Sequence, residues 1–256
     1  MGQVYQSYTH PFLENVPALS VRVNSLTEAE TAVKLDPAVI LFLDVRMSKD
    51  QKLFVQEKGL LEPYLNLEKL GPEKYQGDRP YFYAFSFLKI YSPELQEVRT
   101  YLQRFPQQRF VLNVQDNALN IHEALAAELQ QTKAFVRVLI QSDIDVIIKS
   151  LRRDHPTWLF GSSLPEITRV LSLQSVGLEM VPAIRADVWL TPLKFKNRPL
   201  FNQSLAEEIR RRFKRLFLGP LHSLEEIRAA QTYLPEGLIF LNLPLFEEFM
   251  KNSETP

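Results

Sequence analysis

The stretch Ser92-Pro93-Glu94-Leu95-Gln96-Glu97-Val98-Arg99-Thr100-Tyr101-Leu102-Gln103-Arg104-Phe105-Pro106 leads through Gln107-Gln108 into Arg109-Phe110-Val111-Leu112-Asn113-Val114-Gln115-Asp116-Asn117. An amphipathic segment, a proline turn and an apolar β-forming run follow one another, which is one step of a parallel βα unit rather than part of a sandwich. The step repeats along the chain. Strands are predicted at 19–23, 39–45, 109–114, 134–140, 157–160, 186–190, 215–218 and 237–241, with amphipathic runs between them. Eight such strands in 256 residues predict a (β/α)₈ barrel, for which roughly 250 residues is typical. The expectation is one domain over residues 1–256. Ser25 with Glu28 and Ser223 with Glu226 have the spacing of capping boxes and mark two helix starts.

Composition sets few limits. At 45% hydrophobic and 23% charged residues, the chain can bury a full core. Basic and acidic residues balance at 30 each, so the overall charge favours neither nucleic acid nor an anionic membrane. Cysteine is absent, which removes disulfides and thiolate metal sites. Met1-Gly2-Gln3-Val4-Tyr5-Gln6 lacks the basic and apolar regions of a secretory signal, and Gln6 stands where a myristoylation signal needs Ser or Thr. No run is long enough to span a bilayer. A cytoplasmic protein without a transmembrane segment or a nucleic-acid partner is expected.

Residues 57–91 interrupt the βα rhythm with Gly59, Pro63, Gly71, Pro72, Gly77 and Pro80 and are read as an irregular elaboration. Within it, Tyr81-Phe82-Tyr83-Ala84-Phe85-Ser86-Phe87 is read as a small buried strand or lid, with an apolar wall beside a binding mouth as the alternative. Residues 252–256 are expected to be disordered. His10, His122, His155 and His222 show no metal-ligand spacing and are read as surface residues. Glu207-Glu208 followed by Arg210-Arg211-Arg212 reads as a helix with acids early and bases late, matching its dipole. Gly-rich phosphate loops and a Gly-x-Ser-x-Gly elbow are absent.

In such a barrel the residues just after each strand decide the chemistry. Leu112–Asn117 resembles the third strand of the glycerophosphodiester phosphodiesterase family, which ends Leu-Asn-Ile-Glu-x-Lys; Gln115 and Asn117 stand where that family has a metal-binding glutamate and a phosphate-facing lysine. Val21-Arg22-Val23-Asn24-Ser25 is similar to the family's first strand end, a His-Arg pair and an Asn-Thr-like turn, with Val21 at the histidine. Leu41-Phe42-Leu43-Asp44 is similar to the second, ending Glu-x-Asp, with Phe42 at the glutamate. Leu53-Phe54-Val55-Gln56-Glu57-Lys58 is similar to a run ending His-Asp, with Glu57 at the histidine. Gly237-Leu238-Ile239-Phe240-Leu241-Asn242 resembles the closing strand, with Asn242 at an acid, while Phe217-Leu218-Gly219-Pro220-Leu221 departs from the seventh. The likeness spans about residues 19–60 and 92–245 and implies the TIM barrel of phospholipase-C-like phosphodiesterases.

The resemblance implies hydrolysis of phosphodiesters in lipid metabolism by a divalent cation on three carboxylates, with two histidines as acid and base. Hard divalent ions need several oxygen ligands, with carboxylates offsetting the charge. Of the metal positions Phe42, Asp44 and Gln115, only Asp44 is acidic, and one lost charge at 4 Å is worth on the order of 4 kcal/mol at an effective dielectric of 20. Positions Val21, Glu57 and Asn117 have likewise lost the family's proton-transfer and phosphate-facing groups. No metal and no cofactor is expected. The leading expectation is a catalytically inactive relative that binds a small anionic ligand or a protein partner through Arg22, Asn24, Asp44, Glu57, Gln115, Asn117 and Ser142. Arg22 is a permanently charged fork suited to phosphate or carboxylate, unless it simply pairs with Asp44. The alternatives are a metal-independent phosphodiesterase rebuilt on Asp44, Glu57 and Arg22, and a structural subunit whose mouth is plugged by residues 81–87.

Overall fold

Apolar runs of the chain pair in parallel in the order expected of βα repeats. The structure, a computed structural model, describes residues 10–14, 16–57, 79–174, 183–195, 198–199 and 201–253. Its strands are β1 (Ala18–Arg22), β2 (Ile40–Met47), β3 (Leu53–Val55), β4 (Arg109–Val114), β5 (Val138–Gln141), β6 (Leu159–Phe160), β7 (Val188–Thr191), β8 (Lys194–Phe195), β9 (Arg198–Pro199), β10 (Arg215–Leu221) and β11 (Gly237–Phe240). Eight of them run side by side as β6-β5-β4-β2-β1-β11-β10-β7, with parallel pairing throughout. A single bridge, Gly161 to Val188, closes β6 onto β7. The Asp187 carboxylate reinforces that seam by accepting the Phe160 N–H at 3.0 Å. Burial raises the pKa of Asp187, while the Phe160 N–H and the charges of Lys214 and Arg152 oppose the shift. The molecule is an α/β TIM barrel.

Strand alternation sorts side chains into two layers. Ile40 and Phe42 of β2, Val111, Leu139, Leu159, Val188, Leu190, Phe217 and Ile239 fill the barrel interior, and Phe12 and Leu13 join them from a short 3₁₀ turn, Pro11–Leu13. Val21, Leu41, Leu43 and Val45 face the surrounding helices instead. Gly219, at φ +147°, lies where a Cβ would stand 2.4 Å from the Ile239 carbonyl oxygen, so only glycine lets β10 pass β11 this closely. Both expected helix starts form: Ser25 caps Leu26–Leu35 and Ser223 caps Leu224–Gln231. In each, the Glu carboxylate reaches one residue further back than a standard capping box, to the N–H of Asn24 at 2.7 Å and of His222 at 2.9 Å.

Several expectations need correction. The fourth predicted strand, 134–140, starts late as β5, because 135–137 form a 3₁₀ turn in which Phe135 and Val136 are exposed. The aromatic run forms no strand: Pro80–Phe82 is a 3₁₀ turn and Phe85–Tyr91 an α-helix. Tyr83, Phe85, Leu88 and Leu95 enclose Phe54 of β3 in a satellite core, with Phe87 and Tyr91 against it. Residues 58–78 of the elaboration lie outside the described residues. The last helix, Leu243–Ser253, extends two residues into the stretch expected to be disordered, and 254–256 lie outside the described residues. His10 is buried rather than on the surface. Its Nδ1 accepts the Phe12 N–H at 3.2 Å, and burial lowers its pKa against the opposing charge of Glu14. In Gln203–Arg211 the bases do occupy the last turn, but Glu207 and Glu208 fall after the first, and Glu208 accepts from Arg211 and Arg212.

Asp50 ties the satellite core to the barrel. Its Oδ1 accepts the Phe85 N–H at 2.8 Å and the Ser48 hydroxyl at 2.7 Å, capping the helix Phe85–Tyr91 from outside. Burial works to raise the Asp50 carboxyl, yet the hydrogen bonds from Ser48 and Phe85 hold it below its ordinary 3.8. Asp50→Ala should therefore cost about 1 kcal/mol in urea unfolding, a typical cap loss. Because the folded pKa is the lower one, this contribution is present above pH 3.8 and is lost as the pH falls through the depressed value. Unfolding curves at pH 7 and at successively lower pH below 3.8 follow that loss, and the wild-type advantage should shrink as the pH falls.

Candidate functional site

Register brings the polar residues together at the C-terminal mouth. Asp44 on β2 is the cross-strand neighbour of Asn113 on β4, and Arg22 at the end of β1 is the neighbour of Phe42. Asp44 follows Phe42 on the inward face of β2 and is completely buried. Its Oδ1 accepts from Asn113 Nδ2 at 2.7 Å and from Gln115 Nε2 at 2.6 Å. Its Oδ2 lies 2.6 Å from Arg22 Nε, a close ion contact rather than an aligned hydrogen bond. Arg22 Nη1 donates to Glu57 Oε1 at 2.8 Å, and the guanidinium carbon sits 5.8 Å from the centre of the Phe42 ring. Arg22 is thus held between two carboxylates, with its side chain 14% exposed, while Glu57 is 39% exposed.

Four expected site residues therefore converge: Arg22, Asp44, Glu57 and Gln115. Others do not. Val21 faces the helix layer, one residue out of phase with the mouth, so the inward positions near the end of β1 are Ser20 and Arg22. By side-chain direction, Arg22 and not Val21 stands where an inward proton-transfer group would be. Phe42 lies under the mouth in the apolar interior. Ser142 is buried as a strap, donating to the Val114 carbonyl at 2.8 Å and accepting the Ile144 N–H at 3.1 Å. Asn24 lends its backbone N–H to the helix cap. Asn117 is exposed and lines a separate groove of about 300 Å³ with Leu119, His122 and Val146. Asn242 caps the last helix through the Leu245 N–H.

Sequence reasoning missed two contributors. Asn113 sits on the same strand face as Val111 and Gln115, and that parity, with its pairing to Asp44, was the available signal. Arg46 and Asp116 form a bidentate pair at 2.8 and 2.9 Å, with Arg46 fully buried. A lone arginine inside the apolar run of β2 demands such a partner.

The set does not suit a divalent cation. Asp44 Oδ1 accepts two amide hydrogen bonds, its Oδ2 lies against the Arg22 guanidinium, and Phe42 offers no ligand atom, so a fixed cation already occupies the carboxylate cluster. Among the described residues no three His, Cys, Asp or Glu side chains gather as a metal site. The arrangement can hold charge and recognise an anion that competes for Arg22.

No family model and no curated protein matches the sequence. Solved structures do match in fold. A glycerophosphodiester phosphodiesterase from Thermotoga maritima superposes with a TM-score of 0.61 at 16% identity, covering 92% of this chain and 99% of its own. One from Parabacteroides distasonis gives 0.64 at 12%, covering 93% and 99%, and one from Agrobacterium tumefaciens 0.61 at 13%, covering 90% and 98%. At these identities the likeness establishes the fold alone. Among the described residues no helix is long and apolar enough to cross a membrane.

Proposed function

We propose that this chain, built on the barrel of the glycerophosphodiester phosphodiesterases, hydrolyses nothing and acts by binding a small anionic ligand or a protein partner at the mouth. The observation that carries the proposal is the engagement of Asp44: Asn113 and Gln115 donate to one of its oxygens and the Arg22 guanidinium lies against the other, so the buried acid of the mouth is not free to hold a metal. Glu57 is the exchangeable member. It is partly exposed and holds Arg22 by one oxygen, so a phosphate or carboxylate can take its place on the guanidinium. A competing proposal keeps Glu57 as the general base of a metal-independent phosphodiesterase, supported by its convergence with Asp44 on Arg22.

One variant separates the two. Wild-type protein should leave a generic glycerophosphodiester intact with or without Mg²⁺ or Ca²⁺, and Glu57→Gln should tighten binding of glycerol 3-phosphate by freeing one edge of Arg22. Turnover by the wild type that disappears in Glu57→Gln would establish the rebuilt enzyme instead.

A further inference from the structure

Away from the mouth, a groove of about 480 Å³ lies between the helices Asp145–Asp154 and Leu164–Gln174. Its walls carry Lys149, Arg152, Arg153, Arg169 and Arg185, five cations in a chain whose formal charge is zero. The two carboxylates in the same walls are already committed. Asp145 pairs with Lys149 at 2.5 Å and accepts the Ser163 hydroxyl at 3.0 Å, while Glu166 Oε1 accepts the backbone N–H of Arg185 at 2.5 Å and of Ala186 at 3.3 Å. Glu166 thus holds the Arg185 backbone while the Arg185 side chain stays exposed.

The arginines are positioned as well as numerous. Arg169 is oriented by donating to the Ala183 carbonyl at 2.8 Å. Arg152 stacks its guanidinium 5.0 Å from the centre of the Phe160 ring, and its Nη2 is buried with no acceptor among the described residues. A stacked guanidinium with an unspent buried donor is costly unless an acceptor arrives. Arg153 is paired with Asp154, and the single carboxylate of Asp187 answers both Arg152 and Lys214, so a net positive charge remains on Arg152, Arg169 and Arg185.

We infer that this groove is a second binding site, for a multiply charged phosphate-bearing anion. Planar guanidinium forks match phosphate oxygens in pairs, and the cavity falls within the size range of small-ligand sites. The phosphates could be free or belong to lipid headgroups, and the inference is independent of what the mouth does.

Titration calorimetry of the full chain with sodium tripolyphosphate at low salt tests the free form. Sedimentation with vesicles of equal parts phosphatidylcholine and phosphatidylserine tests the headgroup form, and pure phosphatidylcholine is the blank. Binding in either arm should weaken at least about tenfold in Arg152→Gln/Arg169→Gln/Arg185→Gln and should fall as salt is raised. Because Arg152 and Arg169 also contact the fold, Lys149→Gln/Arg185→Gln provides a variant confined to exposed side chains, expected to weaken binding by a smaller but measurable factor. Arg104→Gln, on a distant helix and paired with Glu30, should bind as the wild type does. No binding in either arm, or binding undiminished in both groove variants, overturns the inference.

Discussion

Arg22→Ala is expected to lower the unfolding free energy by about 3–5 kcal/mol, the usual cost of removing one partner from a buried ion pair. The reason is Asp44. Stripped of the guanidinium, its carboxylate keeps only the neutral amides of Asn113 and Gln115 in a fully buried position. Asp44→Asn added to Arg22→Ala should recover part of the loss, since no charge is then left unpaired, and the double-mutant cycle should give a coupling well above 1 kcal/mol. Urea unfolding at neutral pH makes the measurement. If Arg22→Ala costs less than 1 kcal/mol, the guanidinium is not the counter-charge of Asp44 and the account of the mouth fails.

The barrel was legible because its signal is redundant. Each predicted strand meets an observed one within a few residues, and the two-residue period of β2 and β4, once the strands are paired, places Asp44, Asn113 and Gln115 on one face. Failures occurred where apolarity has another cause. Phe135 and Val136 look like strand residues but are exposed in a turn that Arg137 fastens to the carbonyls of Leu102, Phe105 and Gln108. The aromatic segment looks like a strand by composition, yet Phe85 and Leu88 point one helical face at Phe54.

At the mouth, the resemblance fixed which strand ends matter, and geometry corrected which side chains reach them. Motif matching has no parity, so Val21 was assigned a position that β1 turns toward the helices. The Arg46–Asp116 pair spans 70 residues of sequence and follows no local rule, so only the pairing of β2 with β4 reveals it. The same three-dimensional view shows why Arg22 and Asp44 must be discussed together, as a cation and anion already satisfied within the chain.

That pairing dictates how metal binding could be restored. Val21→His should contribute nothing at the mouth and should destabilise the protein, because it places a polar ring in the helix-facing core. The effective set removes the built-in cation and supplies oxygens around Asp44: Arg22→His, Phe42→Glu and Gln115→Glu, with Glu57→His for proton transfer, while Asn117→Lys should add nothing because Asn117 lines a separate groove. Two carboxylates added beside Asp44, each worth on the order of 4 kcal/mol toward a cation at 4 Å and an effective dielectric of 20, should bring Mg²⁺ or Ca²⁺ binding into calorimetric range. The wild type should give no such heat. Single changes should do little for binding, since metal ligands act as a unit, and Phe42→Glu alone should cost several kcal/mol of stability by burying a carboxylate with no cation beside it except the already committed Arg22. The decisive comparison is the wild type itself: a micromolar divalent site that vanishes in Asp44→Asn would mean that Arg22 yields its place to a metal, and the barrel would then have to be read as an enzyme.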